Sequence, residues 1–282
     1  MNKWYLLIVI CTLIISSCAL FENFDDLPMF IEIDSVTVDA DLSQGTTHHD
    51  IIDIWPSADG QSIGVFEIPT RFPVLDEDSE TSMFYQAGIK RVGLTDDHII
   101  YPFFSTLIVD RSFAPDSTIT ENLAFRYRDI TKFRFVESFE TQHIFVREVD
   151  QDSVTSLVIV DDDCAEGNCG LITLTPENPE FAAATSEAFQ DVPINNTPVY
   201  LEMEYKTEIN LSIGLQSNIN GTEFEQYFVT LTPNETWKKV YIEMTDIVIA
   251  SQLESYRILL GALNTLDVPA EVRVDNIKFL HF

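Results

Sequence analysis

Val199-Tyr200-Leu201-Glu202-Met203-Glu204-Tyr205-Lys206 places an apolar residue at every second position: Val199, Leu201, Met203 and Tyr205. Glu202, Glu204 and Lys206 stand between them. Successive side chains of a strand point to opposite faces, so a period of two makes a β-strand with one apolar and one polar side. The alternation returns at Ile209, Leu211, Ile213 and Leu215, at Tyr227, Val229 and Leu231, and at Val240, Ile242 and Met244. Strands of this kind form antiparallel sheets whose inner faces meet. Tyr200 and Tyr241 fall out of phase with the inward residues and are expected on the outer side. The last strand changes phase, since Val272 and Val274 share one face and Ile277 and Phe279 the other. A bulge at Asp275-Asn276 reconciles the two halves. The one helical candidate is short, at residues 246–253.

Upstream the same signal is shorter and denser. Residues 30–38, 51–55, 62–68, 81–87, 103–110 and 118–127 are runs rich in β-branched and aromatic residues, separated by turn residues. Asp59-Gly60 marks a tight hairpin, because both residues tolerate the positive φ of a type I′ turn. A boundary is expected near residues 128–133. The chain is thus read as all-β, two β-sandwich domains in series. The first, residues 30–130, is immunoglobulin-like; the second, residues 131–282, is jelly-roll or galactose-binding-like.

The N-terminus has a different purpose. Lys3 precedes an apolar run over residues 4–15, too short to span a bilayer as a stable helix. Ile15-Ser16-Ser17-Cys18 resembles the bacterial lipobox. Residues 1–17 are therefore expected to be a lipoprotein signal peptide, Cys18 the lipidated residue, and 18–29 a tether to the outer membrane. Acyl chains on one cysteine anchor stably, at about 0.8 kcal/mol per buried methylene. Acidic residues starting at Glu22 resemble the surface-export signal of Bacteroidota lipoproteins, which implies display on the cell exterior.

The formal charge of −30 disfavours nucleic acid and anionic lipid as partners. Outside the signal and Cys18 only Cys164 and Cys169 remain, five apart around a Gly-Asn turn. In an exported protein this spacing points to a local disulfide.

Both halves carry landmarks of a group of Bacteroidota outer-membrane lipoproteins of largely unassigned function. The first half shows Ile33-Asp34-Ser35, Asp53-Ile54-Trp55, Ile63-Gly64-Val65-Phe66-Glu67-Ile68-Pro69 and Tyr101-Pro102-Phe103. The second shows Pro198-Val199-Tyr200-Leu201-Glu202, Trp237-Lys238-Lys239-Val240-Tyr241-Ile242 and Val274-Asp275-Asn276-Ile277-Lys278-Phe279. The resemblance implies placement and architecture more than activity. The second half is also similar to carbohydrate-binding jelly rolls, which open on a Phe-Glu strand (here Phe139-Glu140) and close on Asp-Asn-Ile (here Asp275-Asn276-Ile277). Such modules often hold a structural calcium between those strands, which makes Glu140 and Asp275 candidate ligands.

Enzymatic signals are weak. The adjacent His48 and His49 would point to opposite faces of a strand and serve one metal poorly. With 46 acids in the chain, no carboxylate pair is informative for glycoside hydrolysis. Aromatic side chains remain, because sugars stack on exposed rings. Trp55, Tyr227, Tyr200, Tyr241 and Trp237 qualify, and the last three are the candidate ligand-binding residues. The leading expectation is a non-enzymatic surface lipoprotein serving an outer-membrane protein assembly. The alternative is a glycan-binding lipoprotein using its second domain, and a weaker one is a glycan-processing enzyme.

Overall fold

The computed structural model describes residues 27–75, 80–92, 97–112, 114–150 and 154–282. The signal peptide, Cys18 and the tether up to residue 26 lie outside the described residues.

The first half holds β1 (Met29–Ile33), β2 (Val36–Asp39), β3 (Asp53–Ala58), β4 (Gln61–Ser62), β5 (Phe66–Glu67), β6 (Thr70–Val74), β7 (Glu80–Lys90), β8 (His98–Ile100), β9 (Leu107–Ser112), β10 (Thr118–Thr120) and β11 (Leu123–Arg126). One layer is built on β3 and β7, with β4 and β5 on one side and β8 and β9 on the other. Facing it are β10-β1-β6 and the pair β11-β2, in which β1/β10 and β2/β11 run parallel. Asp59 and Gly60 both have positive φ, 47° and 82°, and close the hairpin between Ala58 and Gln61. The run at 62–68 is not one strand. β3 pairs with it at Ser57↔Ser62 and Ile54↔Phe66, and the stretch between loops out.

The second half comprises β12 (Lys132–Glu137), β13 (Arg147–Glu148), β14 (Leu157–Val160), β15 (Cys169–Leu174), β16 (Glu180–Ala184), β17 (Val199–Thr207), β18 (Leu211–Ile219), β19 (Thr222–Leu231), β20 (Asn234–Glu243), α1 (Thr245–Ser251), β21 (Arg257–Leu263) and β22 (Ala270–His281). They make two facing antiparallel sheets. One has the order β14-β15-β22-β17-β20 with β12 also on β22; the other is β13-β16-β21-β18-β19. Between them lie Leu201, Met203, Ile213, Leu215, Val240, Ile242, Ile258, Leu260, Val272, Val274, Ile277 and Phe279, all buried. The bulge falls where the phase shift in the sequence puts it. Glu202 pairs with Lys278 and Glu204 with Asp275, so β22 carries one extra residue there, and Asn276 takes φ 49°.

The polar side of β17 does not face water. The first sandwich covers it, and Tyr200, Tyr241 and Leu280 pack into that sandwich's core with Tyr101, Phe103 and Tyr127. Ring centroids of Tyr101 lie 4.8 Å from Tyr241 and 5.6 Å from Tyr200. Inside this seam Glu202 accepts hydrogen bonds from Tyr101 Oη (2.5 Å) and Tyr127 Oη (2.8 Å), with Lys239 Nζ at 3.4 Å. Lys278 Nζ donates to Thr46 O (2.8 Å) and Tyr127 Oη (3.1 Å). Burial pushes the Glu202 carboxyl up, but Lys239, Lys278 and the two hydroxyls outweigh it and hold it below its ordinary value. A buried charge tolerates such a position only when paired and hydrogen-bonded, as here.

Candidate functional site

One sheet of the second sandwich is sealed into the seam, which leaves the outer face of the other. β18 presents Gly214 and Gln216 there, opposite in phase to the core residues Ile213 and Leu215. Across β18 and β19, Ile213 pairs with Val229 while Gly214 pairs with Tyr227, so Phe228 is an extra residue. This bulge turns Tyr227 out of the inward set that its spacing from Val229 and Leu231 suggests, and re-aims it onto the outer face. Gly214 sits opposite the bulge because a Cβ there would lie 2.3 Å from Gln226 O.

Tyr227 then lies across the sheet. A Cβ on Gly261 would come within 2.4 Å of Tyr227 Oη and 2.6 Å of Cζ, so the ring reaches from β19 over β18 to β21. It rests on a bed of small residues and remains 42% exposed. Burial, then Glu225, Glu180 and Asp150, push its hydroxyl up to about 12, so it stays a neutral donor at physiological pH. Alongside, Gln216 and Arg257 are cross-strand neighbours, with Arg257 Nη1 donating to Gln216 Oε1 at 3.4 Å. Arg147 on edge strand β13 pairs with Glu223 on β19, the opposite edge, so this ion pair spans the face. The result is a platform of one ring flanked by guanidinium and carboxylate groups over a buried amide, a chemistry suited to a polyhydroxylated ligand.

The residues singled out from sequence fare differently. Tyr200 and Tyr241 lie on the side opposite the core of their own sandwich, as their phase requires. That side is the seam, where each is only 2% exposed, so neither can stack on a ligand. Trp237 is half-buried at the mouth of a cleft of about 540 Å³, lined also by His48, Asp50, Glu204, Lys238 and Lys239. Its Nε1–H donates to Asp163 O (3.1 Å). His48 Nδ1 meets Glu204 Oε1 at 3.1 Å, and Asn276 Nδ2 donates to Glu204 Oε2 at 2.7 Å. His49 turns elsewhere, its Nε2–H donating to Val36 O (3.2 Å) while Nδ1 accepts from Ile51 N–H (3.3 Å). The two histidines therefore do not share a ligand.

Cys164 and Cys169 are joined in a disulfide that closes a short loop beside β22. Glu140 and Asp275, the candidate calcium ligands, clamp this loop from two sides. Glu140 Oε1 accepts Asn168 N–H (3.2 Å), and Asp275 Oδ2 accepts Glu166 N–H (3.1 Å) while its Oδ1 accepts Asn276 N–H (2.7 Å). A calcium ion needs six to eight oxygens turned toward it. Here the carboxylate oxygens are turned to N–H donors, and among the described residues no group of three or more His, Cys, Asp or Glu is placed to hold a metal. The pair fits a loop clamp and not a cation cage. Gly60-Gln61-Ser62-Ile63-Gly64 carries the letters of a hydrolase nucleophile elbow. Ser62, however, is an exposed residue of the two-residue strand β4, which no helix follows.

No family model matches the chain, and no curated protein matches it. Among solved structures it is similar to the family 30 carbohydrate-binding module of a cellulosomal cellulase of Clostridium thermocellum (14% identity, 53% of this chain and 96% of that one, TM-score 0.35). It is similar also to a family 11 carbohydrate-binding module of Clostridium thermocellum solved with a β-1,3-1,4-mixed-linked tetrasaccharide (16% identity, 53% and 94% covered, TM-score 0.38). A third is a xylan-binding domain of family 22 (16% identity, 54% and 96% covered, TM-score 0.35). At such identities the likeness is one of fold alone.

Proposed function

We propose that this chain is a non-catalytic, glycan-binding surface lipoprotein that holds sugar on the outer face of β13-β16-β21-β18-β19. The observation that carries the reading is Tyr227: its ring lies along the sheet, packed on Gly261 below and open to solvent above. A ring held flat in this way loses little freedom when a pyranose settles on it, which lowers the cost of binding. The half-buried Arg257 and the exposed Glu225, one row along the sheet, supply donors and acceptors for hydroxyl groups. The lipid on Cys18 would tie the molecule to the outer membrane, facing outward. The first sandwich would hold the binding half away from the lipid surface as a brace. Nothing among the described residues singles out a face for an outer-membrane protein partner, so that expectation yields to the sugar-binding one.

The test is a glycan panel followed by calorimetry on the lipidated protein in mild detergent. Tyr227→Ala is expected to weaken the best ligand about tenfold or more while leaving the melting temperature close to that of the wild type. Unchanged affinity would remove the platform from the binding site. A stoichiometric outer-membrane protein copurifying with a chain that binds no sugar would restore the accessory-subunit role.

A further inference from the structure

The seam between the sandwiches opens to solvent at one end, and the cleft there has no part in the Tyr227 platform. Its volume of about 540 Å³ falls in the range of about 300–1,000 Å³ that takes a small ligand. One wall comes from the second sandwich. Trp237 lies on it, half-buried, and its one polar atom is committed elsewhere, because Nε1–H donates to Asp163 O (3.1 Å). What the indole offers the cleft is therefore apolar ring surface. The partner of that ring is itself held fast. Asp163 adjoins the loop closed by Cys164 and Cys169, which Asp275 and Glu140 clamp at the Glu166 and Asn168 N–H groups. Arg273 Nη1 also donates to Asp162 O (2.6 Å).

The opposite wall is the loop of residues 46–50 from the first sandwich, pinned at three points. Lys278 Nζ donates to Thr46 O (2.8 Å), His48 Nδ1 meets Glu204 Oε1 at 3.1 Å, and Asp50 N–H donates to Tyr241 Oη (3.1 Å). Asn276 Nδ2 holds Glu204 in turn, at 2.7 Å. The His48 side chain is nevertheless 43% exposed, so its orientation is fixed while its second ring nitrogen is left for a ligand. Each charged group lining the cleft has a partner within the chain. His48 faces Glu204, and Lys239 lies 3.4 Å from Glu202. Burial pushes the Asp50 carboxyl up, and Lys238 is near enough to pull it back. No surplus of either sign selects an ion.

We infer that this cleft is a second carbohydrate site, taking a neutral oligosaccharide with one sugar against Trp237 and its hydroxyl groups on His48 and Asp50. A pyranose has an apolar C–H face and a rim of hydroxyls, which matches an apolar ring facing oriented polar groups. Both walls are held before a ligand arrives, so binding orders few side chains. The two walls belong to different sandwiches, so the site exists only because the seam joins them. It stands apart from the platform on the other sheet, and the failure of one leaves the other intact.

The experiment uses the full-length lipidated protein in mild detergent with neutral cello-, xylo-, malto- and manno-oligosaccharides of two to four residues. Trp55 is the other tryptophan downstream of the expected signal peptide, and it lies in the first sandwich. A bound sugar is expected to change tryptophan fluorescence saturably, and the change should persist in Tyr227→Ala. Trp237→Phe should abolish the fluorescence response while calorimetry still detects binding, because an apolar ring remains. Trp237→Ala should weaken binding at this site about tenfold or more. His48→Ala, on the opposite wall, should weaken it at least about threefold, and serves where melting curves show that Trp237→Ala does not fold. Sugar binding with no fluorescence change, unaltered in both alanine variants, overturns the inference and leaves the platform standing. Binding that survives Tyr227→Ala but is lost in Trp237→Ala supports the cleft and removes the platform. No binding of any of these sugars overturns both.

Discussion

Replacing Gly261 by Ala tests the platform without removing its ring. The new methyl group would begin 2.4 Å from Tyr227 Oη and 2.6 Å from Cζ, where ordinary contact starts near 3.4 Å. The hydroxyl end of the ring must therefore retreat by about 1 Å. It can, because Tyr227 is 42% exposed. Gly261 sits in a regular strand, where alanine is no worse than glycine and lowers the entropy of the unfolded chain, so stability should change by less than about 1 kcal/mol. Binding should change more. A ring tilted off the sheet forfeits much of a stacking contact worth about 0.5–1.5 kcal/mol, a loss of between about twofold and tenfold in affinity. Calorimetry against the best glycan gives the affinity, and urea denaturation gives the stability. Unchanged affinity in a stably folded Gly261→Ala protein would show that the ring does not contact sugar. A stability loss above about 3 kcal/mol would show that the ring cannot yield, contrary to its exposure.

Two further perturbations address the seam. Glu202→Gln leaves Lys239 and Lys278 buried without their carboxylate, and breaking a buried pair in this way costs about 3–5 kcal/mol. A loss below about 1 kcal/mol in urea would mean that the seam is hydrated in solution. Burial lowers the Lys278 amine to about 8 from its ordinary 10.5. Because its folded value is the lower one, the unfolded chain binds the extra proton between these values, and stability contributed here rises from about pH 8 toward 10.5. Lys278→Met should abolish that rise, measured as melting temperature against pH, and an identical profile in the variant would refute the assignment.

Local pattern made most of the fold legible. Apolar residues at every second place located the strands of the second half, because side-chain period and burial are locked together. The bulge at Asn276 could be read because Val274 and Ile277 are three apart and both apolar, which no regular strand allows on one face. The bulge at Phe228 could not. Tyr227, Phe228 and Val229 are all apolar, so a slip of one residue leaves the pattern intact, and only the pairing of Gly214 with Tyr227 reveals it. Tyr227 was among the aromatic candidates of the sequence, but its outward aim was hidden by a bulge whose sequence looks like continuity.

A longer-range ambiguity concerned the two outer faces. Both sheets of the second sandwich show polar residues between apolar ones, and nothing in either strand says which side meets water. The decisive contacts come from 75 and 101 residues away, where the Tyr127 and Tyr101 hydroxyls reach Glu202. What separates the faces is whether a distant segment covers them. In the seam Glu202 receives two hydroxyls with the Lys239 amine beside it, and Lys278 finds a carbonyl and a phenol. On the other face Tyr227 stays 42% exposed, and Glu223 and Glu225 beside it on β19 are exposed as well. A polar strand face is closed or open according to the partners that remote parts of the chain bring to it, and a strand's own alternation does not encode them.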